Sequence, residues 1–314
     1  MEEIIQVSKN VRTTVVSYWV GTLPEITRLH FYFFKYNNDL NFKYILYSDI
    51  SDGFKSSIPS SLNWLLDMPW FEHREIDLSN LMEKYEIPPF SLWKETLYYK
   101  LRRKLKHKLL SFLLKYSKGL HFRLLEKYRD LHLNEEIGFS FSHNQKFTGL
   151  SKHVTYRSDV FRSLIANEFT NENILYVDLD ICFIRQFSSY DWAVPFTSPW
   201  GIARFANTAI LFIPSTKEST RENILQEFRN TSAAWPWVLY SEKRCGRYDL
   251  VLRSIEEFDP PWSLSSPVSG DSSAFMSKRD NSAHVVTWVD EHSFCFHWHN
   301  QWKSSPEVGS PYDL

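Results

Sequence analysis

Tyr176-Val177-Asp178-Leu179-Asp180-Ile181-Cys182-Phe183-Ile184 is the stretch on which the fold of this chain turns. Leu175 to Val177 is a short apolar run that reads as a buried strand. It ends on two carboxylates one residue apart, at the point where a core gives way to a cleft. Hard oxygen donors of this kind suit Mg²⁺ or Mn²⁺, which bridge carboxylates to phosphate oxygens. An Asp-x-Asp pair also occurs in ordinary turns, so its surroundings decide.

Working outward, Tyr156 to Phe169 has helical spacing and carries Ser158, Asp159 and Arg162, and Asn171 to Ile174 reads as a turn before the strand. Asp159 and Arg162 stand three apart, on one helical face, suited to sugar hydroxyls beside a metal or to a plain surface ion pair. Val11 to Val20 is rich in Val, Thr and aromatics, as a buried strand is, and Gly21 and Pro24 punctuate its end. Apolar residues from Glu25 to Tyr36 recur at helical spacing, and Phe42 to Tyr47 is a second strand closing on Ser48 and Asp49. Strand, helix, strand is a parallel βαβ unit, whose ligands gather beyond the carboxyl ends of the strands. Tyr18, Trp19 and Asp49 therefore fall near the expected site. Downstream, Ile202 to Pro214 reads as a strand region and Lys217 to Arg229 as a helix.

The segment from about 91 to 145 differs in character. Lys100, Arg102, Arg103, Lys104, Lys106, Lys108, Lys115, Lys118 and Arg123 come with almost no acids. Leu101, Leu105, Leu109, Phe112 and Tyr116 recur every three or four residues. This is an amphipathic basic helix pair inserted into a single domain spanning 1–314. It suits either a solvated face on the core or, over about 99–129, peripheral contact with an anionic membrane.

The bulk composition excludes more than it selects. Over 314 residues, 36 Lys and Arg balance 37 Asp and Glu, so no nucleic-acid partner is indicated. Aromatic residues reach 17%, with 12 Trp, and flat faces with polar edges suit sugars and nucleobases as well as cores. The three cysteines, Cys182, Cys245 and Cys295, have neither disulfide nor zinc spacing. No basic, apolar leader opens the chain, and no apolar run is long enough to cross a bilayer. A cytoplasmic location is expected, at the inner face of the membrane if the basic helices dock there.

Together these motifs resemble glycosyltransferases carrying the DXD sugar-binding region. That group includes initiating mannosyltransferases, bacterial capsule and lipopolysaccharide transferases and, more distantly, clostridial glucosylating toxins. Tyr18-Trp19-Val20-Gly21 resembles the strand whose Trp stacks on the nucleobase, and Ser158-Asp159-Val160-Phe161-Arg162 the helix that holds the donor sugar. Tyr176-Val177-Asp178-Leu179-Asp180 is similar to the metal motif, Asn207-Thr208-Ala209 to an Asn-rich stretch near the sugar, and His297 to Trp302 to the closing segment. Glu172-Asn173 stands where the group usually has a Gly-Gly turn, and the basic helices have no counterpart.

The resemblance implies an α/β fold of GT-A type, a Rossmann-like mixed sheet, with a Mn²⁺ or Mg²⁺ cofactor. It implies transfer of a hexose from a UDP- or GDP-sugar to a glycan or lipid-linked acceptor with retention of configuration. Asp180 would bind the metal directly, while Asp178 reaches the metal, the ribose or the sugar. His297 or His299 would supply a further ligand. Tyr18, Trp19, Asp159, Arg162, Tyr176, Asn207 and Trp302 would surround the donor, with the Trp302 indole over the diphosphate. Asp271, in Ser269-Gly270-Asp271-Ser272, is the candidate for acceptor contact or general base, or is simply a turn residue.

Two other readings stand beside this one. A haloacid-dehalogenase-type phosphatase also places Asp-x-Asp at a strand end, with the first Asp as nucleophile. Cys182 occupies the position where that class has Thr or Val, and the Asp159–Arg162 helix has no role there. A non-catalytic sugar-binding or membrane-surface protein would use the aromatics and basic helices and leave the carboxylates unexplained. The high Asn, Lys, Ile, Phe and Tyr content points to an AT-rich microbial genome and to surface polysaccharide synthesis, with a host-directed effector as the alternative.

Overall fold

A computed structural model describes residues 12–37, 42–87, 154–185, 209–215 and 218–230. It also describes the short strands at 196–199, 206–207, 251–252 and 295–297, and positions 89, 108, 112, 116, 117 and 120. The first strand, β1 (Thr13–Trp19), carries a run of β-branched and aromatic residues and is buried almost throughout. Gly21 follows at φ +88°, a conformation that side chains disfavour, and turns the chain out of the sheet. A 3₁₀ turn (Glu25–Thr27) leads into α1 (Arg28–Asn37) and the chain returns as β2 (Phe42–Asp49). Next come β3 (Phe71–Ile76) and α2 (Leu78–Lys84), whose N-terminus is capped by the Asp77 carboxylate accepting from Ser79 and Asn80.

Beyond the basic segment, α3 (Val154–Leu164) and a 3₁₀ turn (Ile165–Glu168) precede β4 (Asn173–Val177). The turn expected over Asn171 to Ile174 is therefore shorter, because Asn173 and Ile174 already pair with Thr13 and Thr14 of β1. Then follow β5 (Ile181–Phe183), β6 (Phe196–Pro199), β7 (Ala206–Asn207), β8 (Ile210–Ile213), α4 (Glu218–Asn230), β9 (Val251–Leu252) and β10 (Cys295–His297).

Among the described residues the main sheet has the order β3-β2-β1-β4-β8. Its first four strands are parallel and β8 runs antiparallel to β4. This is the mixed, Rossmann-like sheet expected from the sequence. The chain leaves β1 for β2 on one side and returns to β4 on the other, so the order reverses beside β1. In open α/β sheets the crevice for a ligand lies at the carboxyl ends of such neighbouring strands.

Strand parity sorts side chains to the two faces. Val16, Tyr18, Ile174 and Tyr176 pack with Val160, Phe161 and Leu164 of α3, with α2 and with α4. Val15, Leu175 and Val177 pack on the opposite face with Phe31 and Phe34 of α1. Leu179, Ile181 and Phe183 join that second cluster, so the chain folds over the α1 face immediately after β4. The β3 strand escapes sequence reading because Glu72, His73, Arg74 and Glu75 interrupt its apolar ends. It lies at the edge of the sheet, where charge discourages further pairing.

Candidate active site

Asp178 and Asp180 leave β4 at the reversal of strand order, where the amide of Asp178 donates to the Ala209 carbonyl over 2.7 Å. The amide of Ile181 closes a tight turn onto the Asp178 carbonyl at 3.2 Å. Parity carries Asp178 to the same face as Tyr176 and so toward α3. There Asp178 Oδ1 accepts from the Tyr176 hydroxyl at 2.6 Å and from the Arg162 guanidinium at 3.2 Å. The guanidinium also donates to Ser158 Oγ at 2.8 Å and lies 3.4 Å from Asp159 Oδ1. It rests over the Tyr176 ring, 4.6 Å from its centre, and Ser158 Oγ lies 2.8 Å from the Tyr176 hydroxyl.

Ser158, Asp159, Arg162, Tyr176 and Asp178, read from two separate motifs, therefore form one continuous polar cluster. The i, i+3 and i, i+4 spacing on α3 faces all three of its members toward β4. Burial pushes the Asp159 carboxyl up to about 6, with Arg162 pulling it down and Asp178 adding to the rise. Burial likewise drives the Tyr176 hydroxyl well above its ordinary value, aided by Asp178, so it stays protonated and donates. Asp180 is 1% exposed, whereas a quarter of the Asp178 side chain is open to solvent.

This donor set fits a hard divalent ion. Both groups are carboxylates, and a buried carboxylate such as Asp180 gains most from a cation beside it. Asp178 already gives one oxygen to Arg162 and Tyr176. Among the described residues no three His, Cys, Asp or Glu side chains form a metal-sized group. The closing segment is nevertheless brought to this loop, because β10 pairs antiparallel with β5 and sets His297 opposite Ile181. Asn207 lies in β7, which pairs with β6 through Ser198. His299, Trp302 and Asp271 lie outside the described residues.

Tyr18 and Trp19 diverge, as neighbours on a strand must. Tyr18 is buried, stacks on Phe161 with ring centres 4.7 Å apart and donates to Asp49 Oδ2. Trp19 is partly exposed at the carboxyl end of β1, with its indole N–H on the Thr22 carbonyl at 3.1 Å. Of the two rings, that of Trp19 is the one left partly open to solvent.

Sequence reading missed Arg157, a fully buried cation on α3. Its guanidinium donates to Asp49 and Ser51 at 2.6 Å each, pairs with Asp52 and lies over the Phe54 ring. It ties α3 to the carboxyl end of β2 and the turn that follows it. The signal was the position of Arg157 directly before Ser158-Asp159, but burial of an Arg depends on two acids more than a hundred residues upstream.

The class defined by this strand order is an open, mostly parallel α/β sheet with a carboxylate pair at the reversal of its strand order. Among solved structures, the chain is similar to the glycosyltransferase GlyE of Streptococcus pneumoniae TIGR4, with 11% identity and a TM-score of 0.43 over 93% of this chain. It spans 55% of the length of GlyE. It is also similar to the galactosyltransferase LgtC in complex with donor and acceptor sugar analogs, at 10% identity, TM-score 0.38, over 93% of this chain and 91% of that one. For mouse xyloside xylosyltransferase 1 in its apo form the values are 9%, 0.42, 93% and 98%. No family model matches the sequence, and comparison with curated proteins gives no match.

Proposed function

We propose that this chain is a metal-dependent glycosyltransferase that moves a hexose from a UDP- or GDP-sugar to a glycan or lipid-linked acceptor. The observation that carries the reading is the cluster of Asp159, Arg162, Tyr176 and Asp178 beside the buried Asp180, at the reversal of strand order. A phosphatase with Asp178 as nucleophile is disfavoured by the same geometry. In that reading the Asp159–Arg162 pair that holds Asp178 Oδ1 would have no task.

Each residue has a task in this reading. Asp180, with Asp178 and a closing-segment His297 or His299, would hold Mn²⁺ or Mg²⁺. A divalent ion at this point supplies Lewis acidity toward the departing diphosphate. Arg162, fixed by Ser158, Asp159 and Asp178, presents a preorganised cation to the donor, which costs no reorientation during transfer. Asp159 accepts from sugar hydroxyls, and Trp19 offers its face to the base. By the sequence resemblance, Asn207 would serve the sugar and Trp302 the diphosphate. With retention, the acceptor proton passes to the departing phosphate oxygen, and Asp271 orients the acceptor rather than serving as base.

The basic segment is the membrane contact, on the inner face in surface polysaccharide synthesis. Its described positions support this: Lys108, Phe112 and Tyr116 are helical residues four apart, and Phe112 and Tyr116 are 59% and 64% exposed with rings 4.6 Å apart. Exposed aromatics on a basic helix are what an anionic interface takes up. No helix among the described residues is long and apolar enough to cross a membrane.

The test is a panel of UDP- and GDP-sugars incubated with Mn²⁺ and assayed for release of nucleoside diphosphate. Slow turnover of one donor, lost on chelation and in Asp180→Ala, is expected, with the product anomer read by proton NMR. Turnover of an aryl phosphate, lost in Asp178→Ala, would move the assignment to the phosphatase.

A further inference from the structure

The loop that carries both carboxylates has a second set of supports, on the side away from α3. Ser17 sits on β1 one residue before Tyr18 and faces the α1 side of the sheet. Its hydroxyl donates to the carbonyl of Val177 at 2.6 Å, immediately before Asp178. Ser17 Oγ also lies 2.5 Å from the Tyr44 hydroxyl of β2, and that hydroxyl lies 2.6 Å from His30 Nε2. His30 Nδ1 is 2.5 Å from the carbonyl of Ile181, immediately after Asp180. A carbonyl can only accept, so Nδ1 carries a proton; the Ser17 proton is given to Val177, and the single Tyr44 proton goes to Ser17 Oγ or to His30 Nε2, one at a time. Ser17, His30 and Tyr44 are all fully buried.

The two carbonyls are the entry and exit of the Asp178–Asp180 loop. A chain of three side chains from β1, β2 and α1 thus joins one end of the loop to the other through the core. An apolar core could have filled this space with Val, Phe and Leu, and three buried polar groups are tolerated only because each finds a partner. Their placement is specific to the loop, since both terminal acceptors belong to it.

We propose that Ser17, Tyr44 and His30 form a buried clamp that fixes the spread of the Asp178–Asp180 loop and so positions Asp180 for its cation. The proposal rests on the metal reading of Asp180. The three are positioning residues, since none touches the site itself. Interactions that orient first ligands in metal sites change metal affinity about 10- to 100-fold when removed. Opening the clamp at Tyr44 is expected to fall at the lower end, because two backbone bonds still close the loop.

The experiment measures Mn²⁺ affinity from the free-ion paramagnetic resonance signal in wild type, Asp180→Asn, Ser17→Ala, Tyr44→Phe, His30→Leu and His30→Asn. Hydrogen exchange at the Asp178 and Ile181 amides and the melting temperature are followed alongside. Expected is uptake by wild type, loss in Asp180→Asn and roughly tenfold weakening in Ser17→Ala and Tyr44→Phe. His30→Asn, which keeps a donor for Ile181, recovers most of the affinity that His30→Leu loses. Faster exchange at the two loop amides, with the Leu175 amide unchanged, separates loop loosening from general destabilisation. A wild type that takes up no Mn²⁺ overturns the metal reading and, with it, the purpose of the clamp. A binding wild type beside Ser17→Ala and Tyr44→Phe variants of equal affinity and unchanged loop exchange overturns the clamp alone.

Discussion

Two buried ionisable side chains flank the site from opposite faces of the sheet, and their effects on stability have opposite signs. Burial pushes Asp159 up to about 6 from an ordinary 3.8. The folded protein then binds more protons than the unfolded chain between these values, so stability is present below about 3.8 and is lost as pH rises through about 6. Burial pulls His30 down to about 4 from 6.5, with the Ile181 carbonyl and Asp180 opposing. Here the unfolded chain binds more protons, so stability is present above 6.5 and is lost as pH falls toward 4. Each effect is on the order of 3 kcal/mol at most, and in wild type they largely cancel between pH 4 and 6. Denaturant titrations across that range read each contribution as a difference in slope from wild type. Relative to wild type, stability should rise more steeply with pH in Asp159→Asn and less steeply in His30→Asn. Parallel slopes in all three proteins would contradict both assignments.

The elements show how far the sequence carries and where it stops. The strands β1, β2 and β4 were legible because buried parallel strands are continuous apolar runs, and α3 because its apolar spacing frames Ser158, Asp159 and Arg162. The edge strand β3 was hidden by its charges. The short β5 was hidden because its pairing with β10 joins residues over a hundred positions apart, which no local pattern records. The same holds for Arg157 and for the Ser17–Tyr44–His30 chain: each residue looks ordinary until the sheet aligns it with its partners. At this scale the bond between α3 and the sheet is testable through Phe161, fully buried between Tyr18, Tyr47 and Tyr176. Phe161→Ala is expected to cost about 3–5 kcal/mol in chemical denaturation. A loss under about 1 kcal/mol would mean that α3 is not packed as described, since a truncated core Phe normally costs several times that.

The whole molecule places its carboxylates where a parallel sheet presents them, with cations from α3 fixed beside them and a basic, aromatic segment set apart in the sequence. If that segment holds the protein to a membrane, Phe112→Ser with Tyr116→Ser should lower binding to vesicles containing anionic lipid several-fold in a sedimentation assay, while added salt weakens binding of both proteins. Equal binding of the double variant would remove the aromatic pair from the interface. The central claim, that the Asp178–Asp180 loop receives a nucleoside diphosphate through a divalent ion, is tested most directly by calorimetric titration of UDP and GDP into the protein with and without Mn²⁺. The expected result is binding of one nucleotide that strengthens at least tenfold with Mn²⁺, equivalent to about 1.4 kcal/mol, and that loses this gain in Asp180→Asn. Binding of neither nucleotide under any of these conditions, or equal binding with and without the metal, would contradict the account.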